Sequence, residues 1–205
     1  WLGGCVVEGI TLDNRFEWKK TLGDPAARPG EYSTWGYRCS YGFGYYEMLQ
    51  FCEDIGAKAM FVCNVGLGCQ FRMGDACGEH DIDFYIDDCL DAIEYALGDE
   101  STEWGARRAA DGHPAPFPLQ YVEIGNENWG AEYDRRFDIF YKTIKEKYPQ
   151  LTLIYNEMPQ RDGASQITKT DMIDPHWYVD PYFFFRNTTP VSYTHLRAHE
   201  TKANL

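Results

Sequence analysis

The chain has 205 residues, 44% of them apolar and 16% aromatic, ample material for one buried core, so disorder is not the default. A formal charge of −13 and a pI near 4.7 argue against nucleic acid or an acidic membrane as partner, because such a surface repels phosphate and releases no counterions. A neutral ligand fits better, and no window approaches the roughly 18–20 consecutive apolar residues of a bilayer span.

The chain opens at Trp1-Leu2-Gly3-Gly4 with neither an initiating Met nor a basic, signal-like segment. We read the natural N-terminus as missing, which leaves localisation open with a lean toward export. The seven cysteines contain no C-x-x-C pair, so their spacing offers no zinc framework. Cys52, Cys63 and Cys89 fall at apolar positions of predicted elements, where a thiol behaves as a small hydrophobe, and free buried thiols are expected rather than disulfides or metal ligands.

From Tyr45 the residues Met48, Leu49, Cys52 and Ile55 follow the helical i, i+3, i+4, i+7 rule, and Gly56 supplies a stop. The run Ala59 to Val65 is short and almost continuously apolar, as a strand buried on both faces would be. The pattern repeats. Ile86, Cys89, Leu90, Ile93 and Leu97 form a second helical stripe, and Tyr121 to Ile124 a second strand. Phe137, Phe140, Tyr141 and Ile144 predict a third helix ending near Tyr148-Pro149, and Leu151 to Tyr155 the next strand. The segment from Asp99 to Pro118 reads as a long loop, a common place for function.

Alternating helix and strand predicts an α/β fold with a parallel sheet, which a doubly wound sheet and a closed barrel share. No G-x-G-x-x-G follows a strand to favour a dinucleotide fold. Polar and aromatic residues at strand ends, Asn64, Asn126, Glu127, His176 and Tyr178, suit a barrel with chemistry on its C-terminal rim.

Three constellations can carry chemistry. In Glu123-Ile124-Gly125-Asn126-Glu127, a carboxylate just past a buried strand faces a pocket partly desolvated, which raises its pKa toward proton donation at neutral pH, while Asn126 can bond a sugar hydroxyl. The alternative is a solvated helix N-terminus. His176 and Tyr178, two apart, would share one face of a strand and reach one pocket; a structural histidine is the alternative. Gly3-Gly4-Cys5-Val6-Val7-Glu8-Gly9, with Arg15, Trp18-Lys19 and Trp35-Gly36-Tyr37, allows close ligand approach at a strand end and offers Trp35 as a flat face for a sugar ring, or serves structure alone.

These stretches, with Trp18 to Gly23, Cys52 to Ala57, Asn64-Val65-Gly66, Gly112 to Phe117 and Asp174-x-His176-x-Tyr178, together resemble glycoside hydrolase family 51 in order and spacing over nearly all of residues 1–190. The resemblance implies a (β/α)8 barrel followed by a β-sandwich, hydrolysing α-L-arabinofuranosides with retention through two carboxylates and without metal or cofactor. It makes Glu127 the acid/base after the fourth strand, with Asn126 contacting the sugar. His176 and Tyr178 match the motif after the sixth strand that supports nucleophile and substrate. Cys5 stands where other members often carry an Asn that touches arabinose, and Trp35 matches the aromatic lining the sugar subsite.

The departures carry equal weight. The family's nucleophilic Glu follows the seventh strand, beyond the His-x-Tyr motif, and this chain leaves the pattern by about Pro190. We therefore expect a partial barrel of about strands 2–6, an incomplete catalytic domain over 1–190, a non-native read-through tail over 191–205, and negligible hydrolysis by the polypeptide itself. A His195/His199 pair in that tail is too sparse for a metal site. Pro175 replaces the Glu usual in its motif. The expected partner is an arabinose-containing oligo- or polysaccharide, with the parent enzyme a homo-oligomer. Rival readings are a same-clan retaining glycosidase for another sugar and a non-catalytic carbohydrate-binding protein.

Overall fold

The computed structural model describes residues 2–158 and 166–186. The proposed tail, including His195 and His199, lies outside them.

After three short 3-10 turns, β1 (Glu31–Tyr32) and β2 (Arg38–Cys39) form a small antiparallel hairpin. Then follow α1 (Tyr45–Asp54), β3 (Ala59–Cys63), α2 (Ile82–Leu97), α3 (Glu103–Ala110), β4 (Leu119–Ile124), α4 (Ala131–Lys147), β5 (Thr152–Glu157), β6 (Met172–Pro175) and α5 (Pro181–Arg186). Strands β3, β4, β5 and β6 pair in parallel in that order. On the free side of β3, Leu2 adds a one-residue parallel bridge, its N–H donating to Met60 O at 2.9 Å and its carbonyl accepting from Val62 N at 3.2 Å.

That order decides what periodicity left open. A doubly wound sheet reverses its strand order at a switch point, whereas here each strand lies beside its predecessor in sequence, as in the wall of a barrel. The sheet is an arc of a (β/α)8 barrel, with Leu2 marking a fifth strand position.

All five β3 residues are buried, and α2 and α4 turn their predicted stripes to the core; α1 buries Tyr45, Leu49 and Cys52, but Ile55, expected in that stripe, follows the helix as its C-cap and is 60% exposed. Trp18 is a hub of the core, its ring against Tyr45, Tyr95 and Trp104 and its indole N–H donating to Asp88 O at 3.1 Å. Cys52, Cys63 and Cys89 are buried free thiols within it. No helix among the described residues is long and apolar enough to cross a membrane.

Three expectations need correction. The presumed loop from Asp99 to Pro118 contains α3, capped by Thr102, whose hydroxyl accepts from Gly105 N at 3.1 Å. Its brevity and internal glycine hid it. Asn64 belongs to a turn rather than a ligand-facing rim: its amide donates to the carbonyls of Val7 and Leu67 and its oxygen accepts from Gly66 N. Strand β6 ends at Pro175, so His176 and Tyr178 follow the strand instead of alternating along it.

Candidate functional site

Strand β4 ends at Ile124, and the chain turns sharply through Gly125 at φ +83°. A Cβ there would lie 2.7 Å from Asn128 Oδ1 and 2.8 Å from a Tyr133 ring carbon, so only glycine fits. Two residues on, Glu127 itself is left-handed at φ +48°, an unusual conformation for a side-chain-bearing residue of the kind that collects at functional sites. The turn drives the carboxylate of Glu127 into a cavity of about 210 Å³ at the C-terminal ends of the strands. Gly3, Gly4, Cys5, Trp35, Tyr37, Asn126, His176 and Tyr178 also line it.

The carboxylate is 5% exposed and densely held. Its Oε1 accepts from the Tyr178 hydroxyl and from His176 Nδ1 at 3.2 Å, and its Oε2 accepts from the Cys5 thiol at 3.5 Å. Burial raises the Glu127 pKa, but the hydrogen bonds from His176 and Tyr178, the charge of His176 and the Cys5 thiol outweigh it and hold the carboxyl below its ordinary value. This corrects the expectation of a raised acid. The desolvation is present; the surrounding donors win.

His176 is buried, and its Nε2 lies 3.4 Å from Asp174 Oδ2 and 3.6 Å from Glu123 Oε1. Burial opposes its positive charge, but hydrogen bonds with Asp174, Glu123 and Glu127 lift its pKa to about 11. It is an imidazolium clamped among three carboxylates, a role that neither Glu123 nor Asp174 announced in the sequence.

Beside it, the Asn126 amide donates to Glu8 Oε2 at 3.0 Å, and Asn128 donates to Glu8 Oε1 at 3.0 Å. Among the described residues the buried Oδ1 of Asn126 has no hydrogen-bond partner, which leaves an acceptor at the cavity wall for a ligand hydroxyl. Glu8 is 1% exposed; burial and the neighbouring Cys69 and Glu127 charges push its carboxyl well above the usual range against the pull of the Asn126 amide. Gln70 completes the scaffold by accepting from Trp129 N at 2.8 Å. Sequence reasoning gave no role to Glu8, Asn128 or Gln70. The available signal was a carboxylate, Glu8, inside an otherwise apolar run.

Trp35 is 49% exposed with the Arg72 guanidinium 5.6 Å from its ring, and it lines the cavity with Tyr37. Arg15, Trp18 and Lys19, grouped with these by sequence, stand elsewhere: Trp18 is core, Lys19 pairs with Asp88 and Asp91, and Arg15 holds Leu12 O and Glu17. Among the described residues two donor groups have metal-like spacing, Cys5 with Glu8 and Cys69, and Glu123 with Asp174 and His176, each within 4.8 Å. In both, hydrogen bonds and ion pairs already engage the donors.

A buried carboxylate, an open amide acceptor and an aromatic edge thus share one cavity on the C-terminal rim of a parallel β/α arc, the face on which barrel enzymes carry their chemistry. The chain matches the α-L-arabinofuranosidase 1 domain over residues 1–195 and belongs to that family, within glycoside hydrolase family 51. It is 41% identical over 181 residues to α-L-arabinofuranosidase 1 of Arabidopsis thaliana, covering 86% of this chain and 26% of that protein. It is 35% identical over 208 residues to an extracellular exo-α-L-arabinofuranosidase of Streptomyces chartreusis, covering 90% and 25%. The arabinose-bound MgGH51 α-L-arabinofuranosidase superposes with a TM-score of 0.82 at 31% identity, over 97% of this chain and 31% of that one. The chain thus spans about a quarter of the length of the curated relatives it matches.

Proposed function

We propose that this chain supplies the acid/base half of a retaining α-L-arabinofuranosidase that releases terminal α-L-arabinofuranosyl groups from arabinan- or arabinoxylan-type glycans. The observation that carries the reading is the Glu127 carboxylate, buried in a small polar cavity beside the open Oδ1 of Asn126. About 210 Å³ is below the roughly 300–1,000 Å³ of drug-sized sites and suits one sugar ring. The arabinofuranosidase names of the relatives support the sugar.

In this reading Glu127 protonates the leaving glycosidic oxygen and later deprotonates the attacking water, while a second carboxylate attacks the anomeric carbon from about 5–5.5 Å away. Among the described residues Glu127 is the one carboxylate lining the cavity, so the nucleophile is supplied by none of them. Its arrival also supplies what the acid needs. A like charge at that distance raises the Glu127 pKa against the hold of His176. Asn126 accepts a sugar hydroxyl, Cys5 and Trp35 bound the ring, and His176 and Tyr178 orient the Glu127 carboxylate.

The test is hydrolysis of arabino-oligosaccharide by the complete gene product, with product configuration followed by NMR. Glu127→Gln should lower kcat by about 10²–10⁴ with little change in folding, and the α-anomer should appear first. Inverted product or an indifferent Glu127→Gln would overturn the assignment. The polypeptide of 205 residues is expected to bind L-arabinose without turning over arabinosides.

A further inference from the structure

Cys5 and Cys69 come from different loops, one between Leu2 and the first 3-10 turn, the other between β3 and α2. Hydrogen bonds lay those loops side by side: Cys69 N donates to Gly9 O at 3.3 Å, Asn64 Nδ2 to Val7 O at 2.9 Å, and Leu12 N to Asp75 Oδ2 at 3.0 Å. The two sulfurs lie within 4.8 Å of one another. Cys5 faces the cavity, open to small solutes, whereas Cys69 sits behind it at 1% exposure. The pair shares a proton unevenly. The hydrogen bond from Cys5, opposed by burial and helped by the Phe71 backbone N–H, draws the Cys69 thiol down to about 7, while the same contact and burial push Cys5 upward.

We propose that Cys5 and Cys69 are an oxidative modification site in the floor of the cavity, closing to a disulfide with a small hydroperoxide as oxidant and so disabling the pocket. The Cys69 thiolate takes the Cys5 proton as the cavity-facing Cys5 sulfur attacks the peroxide oxygen, forming a Cys5 sulfenic acid and hydroxide. That hydroxide removes the proton from Cys69 and leaves as water, and the Cys69 thiolate attacks the Cys5 sulfur; the S–S bond forms and the S–O bond breaks, releasing hydroxide that takes up the proton Cys69 first lost on ionising and becomes a second water. Two thiols lose two electrons and two protons, and hydrogen peroxide is reduced to two waters. Closure needs the sulfurs to approach from within 4.8 Å to about 2.05 Å, between loops that hydrogen bonds already hold together. It takes from Glu127 the thiol that now donates to its Oε2, and draws the Cys5 sulfur out of the cavity wall. This last effect rests on the sugar-site reading; the disulfide itself does not.

The test treats the reduced chain with hydrogen peroxide and maps the products without reduction. We expect free thiols to fall by two from seven, a peptide joining Cys5 to Cys69, and reversal by dithiothreitol. Cys69→Ser should abolish the linked peptide. Should that variant fail to fold, the unaltered chain decides by its rate of oxidation, which should rise through about pH 7 rather than the ~8.5 of an ordinary thiol. A cross-link to other cysteines, stable oxygen addition without a cross-link, or a rate rising only in the ordinary thiol range overturns the proposal. Binding of L-arabinose, followed by tryptophan fluorescence, should weaken at least about tenfold on oxidation and return on reduction. If the reduced chain binds no arabinose the sugar reading fails, and the peptide map alone decides the disulfide.

Discussion

At the scale of single residues, the site is governed by His176. Its imidazolium balances Glu127, Asp174 and Glu123, and removing it would leave three carboxylates facing one another in the interior. His176→Asn should therefore destabilise the chain by about 3–5 kcal/mol, the usual cost of breaking a buried ion pair, read from urea midpoints. The pH dependence has a definite sign. A histidine raised from 6.5 to about 11 on folding stabilises fully below pH 6.5, and this contribution is lost as pH rises toward 11. Glu127, held below its ordinary value, works the other way: its contribution is present above the ordinary carboxylate range and is lost as pH falls through the folded value. Urea midpoints should thus fall between pH 7 and 9.5 in the unaltered chain, and more shallowly in His176→Asn.

Asn126, Glu127, His176 and Tyr178 were legible as candidates from residue type and position after apolar runs, and the cavity gathers them with Cys5 and Trp35. The direction of the Glu127 pKa was not legible. It depends on three donor groups contributed by residues from 122 positions before it to 51 after it. Local sequence shows the burial that raises a carboxyl, but not the distant donors that lower it.

At the scale of elements, α3 illustrates how a segment expected to be a functional loop serves the scaffold. Arg108, at 0% exposure, donates to the carbonyls of Tyr95, His113 and Pro114 and so ties α2, α3 and the Gly-His-Pro segment together. Arg108→Ala would leave the buried Tyr95 carbonyl unpaired, at about 1–3 kcal/mol, whereas the partly exposed His113 and Pro114 carbonyls can turn to water. A loss of roughly 1–3 kcal/mol in a denaturant titration is expected, with arabinose affinity unchanged under native conditions. The buried strands and longer helices could be read from periodicity because each packs a continuous apolar face. The eight-residue α3 carries too few apolar positions to show a period, and its stability comes from a cap and a buried arginine.

At the scale of the whole molecule, the candidate site exists only when segments near residues 5, 35, 126 and 177 converge. Sugar binding and folding should therefore be linked. L-Arabinose at 100 times its dissociation constant should add about 2.7 kcal/mol to the unfolding free energy, visible as a rise in Tm. No shift at saturating arabinose, with other pentoses equally silent, would remove the sugar from this cavity.

The sequence by itself determined the α/β alternation, the identity of the longer core elements and the family, because these follow from apolar period and from the order of motifs along the chain. Only the tertiary structure decided that the strands run in unbroken order around a barrel wall, that Glu8 and Gln70 brace Asn126, Asn128 and Trp129, and that His176 holds Glu127 ionised. Those properties depend on distances between atoms remote in sequence, and electrostatic balance in a buried site is set by neighbours in space.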